Sequence, residues 1–90
     1  MSEMAILDEP LLLSPSVKLR PEPFGALAYH FGTRQLTFLK RPELVAVVEG
    51  LDGSRSLREV LAERGVPTSQ WPVYAATIER LLTTDMVCRP

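Results

Sequence analysis

Apolar and polar side chains alternate along the first third of the chain. Residues 17–20 follow the period-two pattern of a half-buried strand, and Pro21 is expected to end it. Residues 24–31 are long enough for a central strand, residues 32–34 (Gly-Thr-Arg) favour a tight reversal, and residues 35–39 return as a third strand. The pattern predicts a three-stranded antiparallel meander.

The periodicity changes to helical spacing after Arg41. Pro42 suits the first turn of a helix, and Gly50 is expected to end it. Ser56 followed three residues later by Glu59 is a capping-box pattern, which predicts a second helix over residues 57–64.

A third helix is predicted over about residues 70–84, with Thr68 or Ser69 as its cap. Six apolar residues would share its inner face: Trp71, Tyr74, Ala75, Ile78, Leu81 and Leu82. Residues 85–88 suit a short extended piece at the end of the chain.

The remaining N-terminal residues, 1–16, combine short apolar runs with Pro10 and Pro15, which favours an extended arm over a helix. We expect this arm to pack on its own domain, although its apolar Leu triplet could serve a partner or a second copy. The predicted organisation is an N-terminal arm (1–16) and one domain (17–90) of the α+β class, a three-stranded antiparallel sheet followed by three helices.

The composition limits the possible partners and locations. With 46% hydrophobic and 23% charged residues, the chain is typical of a globular protein and too interrupted by charges for a membrane span. A net charge of -1 gives no general attraction to nucleic acid. Cys88 is the single cysteine and the first thirteen residues lack a signal-peptide pattern, which together predict a cytoplasmic protein.

The sequence offers no pattern typical of an active site. His30 is the only histidine and has no Cys, Asp or Glu at metal-ligand spacing. Cys88 has no neighbouring base, and Gly50 and Gly53 follow a helix instead of leading from a strand into one, as a phosphate-binding loop does. These features predict a binding protein that is not an enzyme and needs no metal or cofactor.

The two edges of the predicted meander differ. The first strand lies among prolines and carries Lys18 and Arg20, which discourage pairing with another strand. The third strand, residues 34–40, contains neither proline nor glycine and is rich in residues that favour strands. An extended peptide could add to this edge as a fourth strand; the alternative is an ordinary edge that a helix covers.

One stretch, residues 19–34, resembles the peptide chaperones of mycofactocin biosynthesis. Its sequence is LRPEPFGALAYHFGTR, and the resemblance continues through Leu36, Phe38-Leu39-Lys40, Pro42 and Leu44-Val45. The predicted order of elements is similar to the winged-helix-like recognition element of ribosomally made, modified peptides, which the pyrroloquinoline-quinone peptide chaperone also contains. The resemblance covers nearly all of residues 5–90, and residues 20–33 are its most specific part.

The resemblance implies a protein that binds the leader of the mycofactocin precursor peptide and delivers the peptide to a radical S-adenosylmethionine maturase, which holds the iron–sulfur clusters. It also implies that the leader adds to the third strand, in a cleft against the third helix. The implied peptide-binding residues are Arg34, Gln35, Leu36, Thr37, Phe38, Leu39, Lys40, Tyr74, Thr77, Ile78 and Leu81. Arg41 departs from the pattern, because a small hydroxyl residue would cap the first helix better.

Two other functions use the same predicted fold. A winged-helix DNA-binding domain would place a helix in the major groove, but the second helix balances Arg55, Arg58 and Arg64 with Glu59 and Glu63. A structural subunit of a larger enzyme would instead use the arm and an apolar helix face.

Overall fold

The computed structural model describes residues 3–90, with side chains from Ala5 onward. These residues form an α+β fold with two three-stranded antiparallel sheets. The strands are β1 (Pro10–Leu13), β2 (Val17–Glu22), β3 (Gly25–His30), β4 (Leu36–Leu39), β5 (Asp52–Ser56) and β6 (Val87–Cys88). The helices are α1 (Pro42–Glu49), α2 (Leu57–Glu63) and α3 (Trp71–Thr83), with 3-10 turns at Glu3–Asp8 and Thr68–Gln70.

The predicted meander is present as the sheet β2–β3–β4, which we call the meander sheet. Pro21 does not end its first strand, since β2 continues to Glu22. The register of β2 and β3 explains this. Phe31 donates its N–H to the Ser16 carbonyl, and along the two strands from this pair onward, every second pair of facing residues is joined by backbone hydrogen bonds. Pro21 faces Ala26 at a pair between these, where the missing N–H would point to the open edge.

A second sheet, in the order β5–β1–β6, was not predicted, so the expected single sheet followed by three helices is incomplete. Its central strand β1 belongs to the segment expected to be an extended arm, of which residues 1 and 2 lie outside the described part. Its edge strand β5 lies between the first two helices, where no strand was predicted. Leu11 is buried in β1, which lies between two neighbouring strands. Ile6 and Leu7 are buried in the 3-10 turn Glu3–Asp8, which packs on α2 and α3 and is not extended as predicted.

The three predicted helices are present near their predicted bounds. Ser56 and Glu59 form both hydrogen bonds of the predicted capping box at the start of α2. Neither Thr68 nor Ser69 caps α3, because both belong to the 3-10 turn that precedes it, and Gln70 occupies the cap position without a side-chain hydrogen bond. Arg41 likewise caps α1 without a side-chain bond.

One buried core joins the meander sheet to α3. The inner face of the sheet contributes Ala26, Ala28 and Leu39, and the inner face of α3 contributes Tyr74 and Ile78. On the opposite face of β4 the side chains are exposed, since alternate residues of a strand point to opposite sides. The sheet therefore presents β4 beside α3 with its outer edge toward solvent.

Candidate functional site

A cleft of about 450 Å³ lies between β4 and α3. Seven of the eleven residues implied by the family resemblance line it: Thr37, Phe38, Leu39, Lys40, Tyr74, Thr77 and Leu81. The other four do not. Arg34, Gln35 and Leu36 lie at the start of β4 and in the preceding turn, while Ile78 is fully buried beneath α3.

Five further residues line the cleft without having been predicted as site residues: Arg41, Leu44, Val73, Arg80 and Thr84. Val73, Arg80 and Thr84 follow a helical spacing with Thr77, since successive members are three or four residues apart. Positions 73, 77 and 80 form a stripe on one side of α3, and Thr84 lies just beyond the end of the helix. This stripe borders the buried face of α3 and could have been found from the sequence. Arg41 and Leu44 carry no comparable signal.

The floor of the cleft is apolar and its rim exposes apolar side chains. Leu39, Tyr74 and Leu81 are buried, with 2%, 3% and 6% of their surfaces exposed. Phe38 and Val73 stand on the rim with 59% and 58% exposed. Large apolar side chains on a surface mark binding sites when they lie together in a groove.

An aromatic contact supports the rim of the cleft. The ring of Phe24, which precedes β3, packs edge-to-face on Phe38, with centroids 5.9 Å apart and planes at 71°. Such contacts favour a defined ring position over free rotation. Phe38 is therefore held beside the cleft although most of its surface is exposed.

The outer edge of β4 has no strand beside it within residues 3–90. His30 donates its N–H to the carbonyl of Gln35 at 3.0 Å, and ladder bonds then recur at Thr37 and Leu39 through their pairs with Ala28 and Ala26. The intervening residues, Leu36 and Phe38, consequently direct their N–H and C=O groups away from β3. These groups are the ones that an added strand would pair with.

Other chemistry in the described residues is sparse. Among the side chains of residues 5–90, no three His, Cys, Asp or Glu are close enough to hold a metal ion. Burial raises the pKa of the Cys88 thiol, and the charge of Asp85 raises it further, which disfavours the nucleophilic thiolate. None of the helices that the structure describes has the length and apolar character needed to cross a membrane.

An open strand edge beside an apolar cleft is characteristic of domains that bind an extended peptide. The chain belongs to the peptide chaperone MftB family, whose family model matches residues 10–88. The peptide chaperone MftB of Mycolicibacterium smegmatis is 43% identical over 75 residues, which cover 83% of this chain and 74% of that protein. Its counterpart in Mycobacterium tuberculosis is 41% identical over 75 residues, covering 83% and 69%.

These relatives confirm the family resemblance seen in the sequence. No solved structure matches the chain.

Proposed function

We propose that this protein is a non-catalytic peptide chaperone of mycofactocin biosynthesis. It binds the leader of the precursor peptide as a fourth strand beside β4 and presents the peptide to a radical S-adenosylmethionine maturase. Family membership supports the peptide-chaperone role. The observation that carries the binding mode is the open edge of β4, which borders the cleft.

A peptide strand along this edge would make two kinds of contact. Its backbone would pair with the outward groups of Leu36 and Phe38, and its side chains would point alternately to the two faces of the sheet. One set would enter the cleft toward Tyr74 and Leu81, and the other would lie beside the exposed ring of Phe38. Backbone pairing thus provides adhesion and the cleft provides selectivity.

The expected affinity is micromolar or better. Four to six backbone hydrogen bonds contribute about 0.5 to 1.5 kcal/mol each, much of which offsets the cost of ordering the peptide. Two or three apolar side chains buried in the cleft add about 1.5 to 3 kcal/mol apiece. After the ordering cost, the sum of these contributions is about 8 kcal/mol, which corresponds to a dissociation constant of about 1 μM.

The small size of the site fits a role in presentation. The strand β4 has four residues and, at about 3.3 Å per residue, can pair with only a short section of a peptide. The remainder of a precursor would stay outside the cleft. A chaperone that holds the leader in this way leaves the modified part of the peptide accessible to an enzyme.

A titration of ¹⁵N-labelled protein with the precursor leader tests the binding mode. We expect the largest amide shifts at residues 36–40 and at Val73, Thr77 and Arg80 of α3. The variant Thr77→Trp, which fills the cleft, should weaken binding by about tenfold, since the bulky ring excludes one buried peptide side chain. Ala62→Trp is the matched control, because Ala62 is exposed on α2 and does not line the cleft.

Two outcomes would contradict the proposal. Shifts confined to the β5–β1–β6 sheet would place the leader elsewhere, and equal affinities of the two tryptophan variants would exclude the cleft. Presentation is tested separately by pull-down of the maturase, which should retain the protein more strongly when the precursor is present.

A further inference from the structure

Charge is distributed unevenly along this nearly neutral chain. Residues 17–41, which contain the meander sheet, hold five of the ten basic side chains and one of the eleven acidic ones. The rest of the sequence is correspondingly acidic. The net charge of -1 therefore conceals a basic region around the strand that borders the cleft.

Five of the seven basic residues away from the cleft are paired with carboxylates, and Lys18 and Arg34 are the other two. Ion pairs occupy Arg20, Arg55, Arg58, Arg64 and Arg89. The three basic residues that line the cleft are Lys40, Arg41 and Arg80, and no carboxylate of the described residues lies within ion-pair distance of them. The cleft lining itself contains no Asp or Glu.

These unpaired cations occupy both sides of the cleft. Lys40 and Arg41 follow the last residue of β4, and Arg80 lies on the cleft-lining stripe of α3. Between them lies the apolar floor of Leu39 and Tyr74. Positive charge of this kind attracts negatively charged partners, and it suppresses binding of positively charged ones.

We propose that the cleft selects an acidic peptide, in which apolar residues that enter the cleft are interspersed with Asp or Glu residues that meet Lys40, Arg41 and Arg80. This inference rests on the proposed function and names the class of leader that the site takes. The apolar floor favours a polypeptide over a nucleic acid, whose phosphates would leave Leu39 and Tyr74 without apolar contacts.

Three synthetic twelve-residue peptides test the preference. All alternate Leu or Val with a polar residue, which is Glu in the first, Gln in the second and Lys in the third. Each exposed charge pair changes affinity by about two- to fivefold, so the Glu peptide should bind about tenfold more tightly than the Gln peptide at low salt, and the Lys peptide most weakly. The advantage of the Glu peptide should shrink in 0.5 M salt, because screening weakens exposed pairs.

Arg80→Gln locates the effect. It should weaken binding of the Glu peptide about two- to fivefold more than binding of the Gln peptide. Lys18→Gln is the matched control, since Lys18 is exposed on β2, at the opposite edge of the meander sheet, and has no ion-pair partner among the described residues. Circular dichroism checks that both variants are folded.

The results distinguish a failure of the acidic preference from a failure of the proposed function. Equal binding of the Glu and Gln peptides, with amide shifts along β4, would overturn the acidic preference while the strand-addition mode stands. A preference for the Glu peptide without shifts at Leu36 and Phe38, or with equal losses in Lys18→Gln and Arg80→Gln, would indicate general surface attraction and also overturn it. Absence of shifts at the cleft with the precursor leader would instead contradict the proposed function itself. Competition by a twelve-nucleotide single-stranded DNA at the cleft would reject a peptide-specific site.

Discussion

The imidazole Nε2 of His30 on β3 lies 2.8 Å from the carboxylate Oδ2 of Asp85, just beyond α3. On the other side of the ring, Nδ1 accepts hydrogen bonds from the N–H groups of Gly32 and Thr33, at 3.0 and 3.1 Å. The ring proton must therefore be on Nε2, which donates to Asp85. One buried side chain thus connects β3 and the β3–β4 turn to the residues just beyond α3.

The first prediction concerns the hydrogen bond between His30 and Asp85. Asp85→Gly should lower the free energy of unfolding by about 1 to 2 kcal/mol, because the buried Nε2–H loses its acceptor. Glycine suits the position, since Asp85 has a φ of 59°. Asp85→Asn keeps an acceptor and also tolerates positive φ, so its loss should be less than half as large. Urea unfolding measures both, and identical midpoints for wild type and Asp85→Gly would contradict a stabilising role.

The second prediction concerns the outward groups of β4. Leu36→Pro removes an N–H that points away from β3, and an edge strand tolerates proline there. Leader binding should weaken about two- to tenfold, while Leu36→Val, which keeps the N–H, should change it little. Isothermal titration gives both affinities, and equal values would argue against strand addition.

The register explains why the neighbouring position would be a poor test. Thr37 directs its N–H toward Ala28, so Thr37→Pro removes a ladder bond of the meander sheet. A loss of binding in that variant would report damaged folding as well as lost contact.

The third prediction concerns the N-terminal strand. Leu11→Ala should lower the free energy of unfolding by about 2 to 5 kcal/mol, because Leu11 is fully buried in β1. Leu12, on the same strand, is only partly buried, and Leu12→Ala should cost less than half as much. Urea denaturation of both variants provides the measurement. Small and equal losses of unfolding free energy in the two variants would mean that β1 contributes little to the stability of the fold.

The fourth prediction concerns Cys88, whose thiol pKa is raised mainly by burial and further by the charge of Asp85. The pH profile of its alkylation by iodoacetamide should have its midpoint above that of the urea-unfolded chain, and Asp85→Asn should move the midpoint only part of the way back. Because the folded state holds this proton more tightly, its contribution to stability is fully present below the unfolded pKa, about 8.5. It is lost as the pH rises through the folded value. Coincident profiles for folded and unfolded protein would refute the effect of burial.

The local elements of the fold could be predicted from sequence because their signals are local. The apolar spacing of α3 and the Ser56–Glu59 capping box fix helices through contacts three or four residues apart. The meander could be predicted from the alternation of apolar and polar residues and from the turn-forming residues 32–34. The length of β2 could not be predicted in this way. Proline at position 21 reads as a strand end unless the register is known.

The second sheet could not be predicted because its information is non-local. Its strand β5 has the sequence DGSRS, which lacks the apolar alternation of a typical strand, and β6 has only two residues. What defines both is pairing with β1, and that pairing joins residues far apart in the sequence. The extended piece predicted over residues 85–88 is present as β6, but no window of neighbouring residues shows that it pairs with β1.

The candidate site was predicted through the family resemblance, which pointed to β4 and α3. Residues such as Thr77 and Lys40 line the cleft, whereas Ile78 points into the core. That these residues bind the peptide stays a prediction. The unpaired state of Arg41 and Arg80 depends on where every carboxylate lies in three dimensions, which the residue order does not give.

The pairing of Leu12 with Cys88 and of Leu13 with Val87 has a consequence for biosynthesis of the protein. The ribosome makes β1 before the meander sheet, the three helices and β5, and it makes β6 after all of them. Until β6 has been made, β1 lacks one of its two neighbouring strands. Pairing of β1 with β6 must also close the long loop between residues 13 and 87, which is slow. The nascent chain therefore completes its fold only after translation has passed Cys88, so an early stop would leave an unfinished, aggregation-prone product.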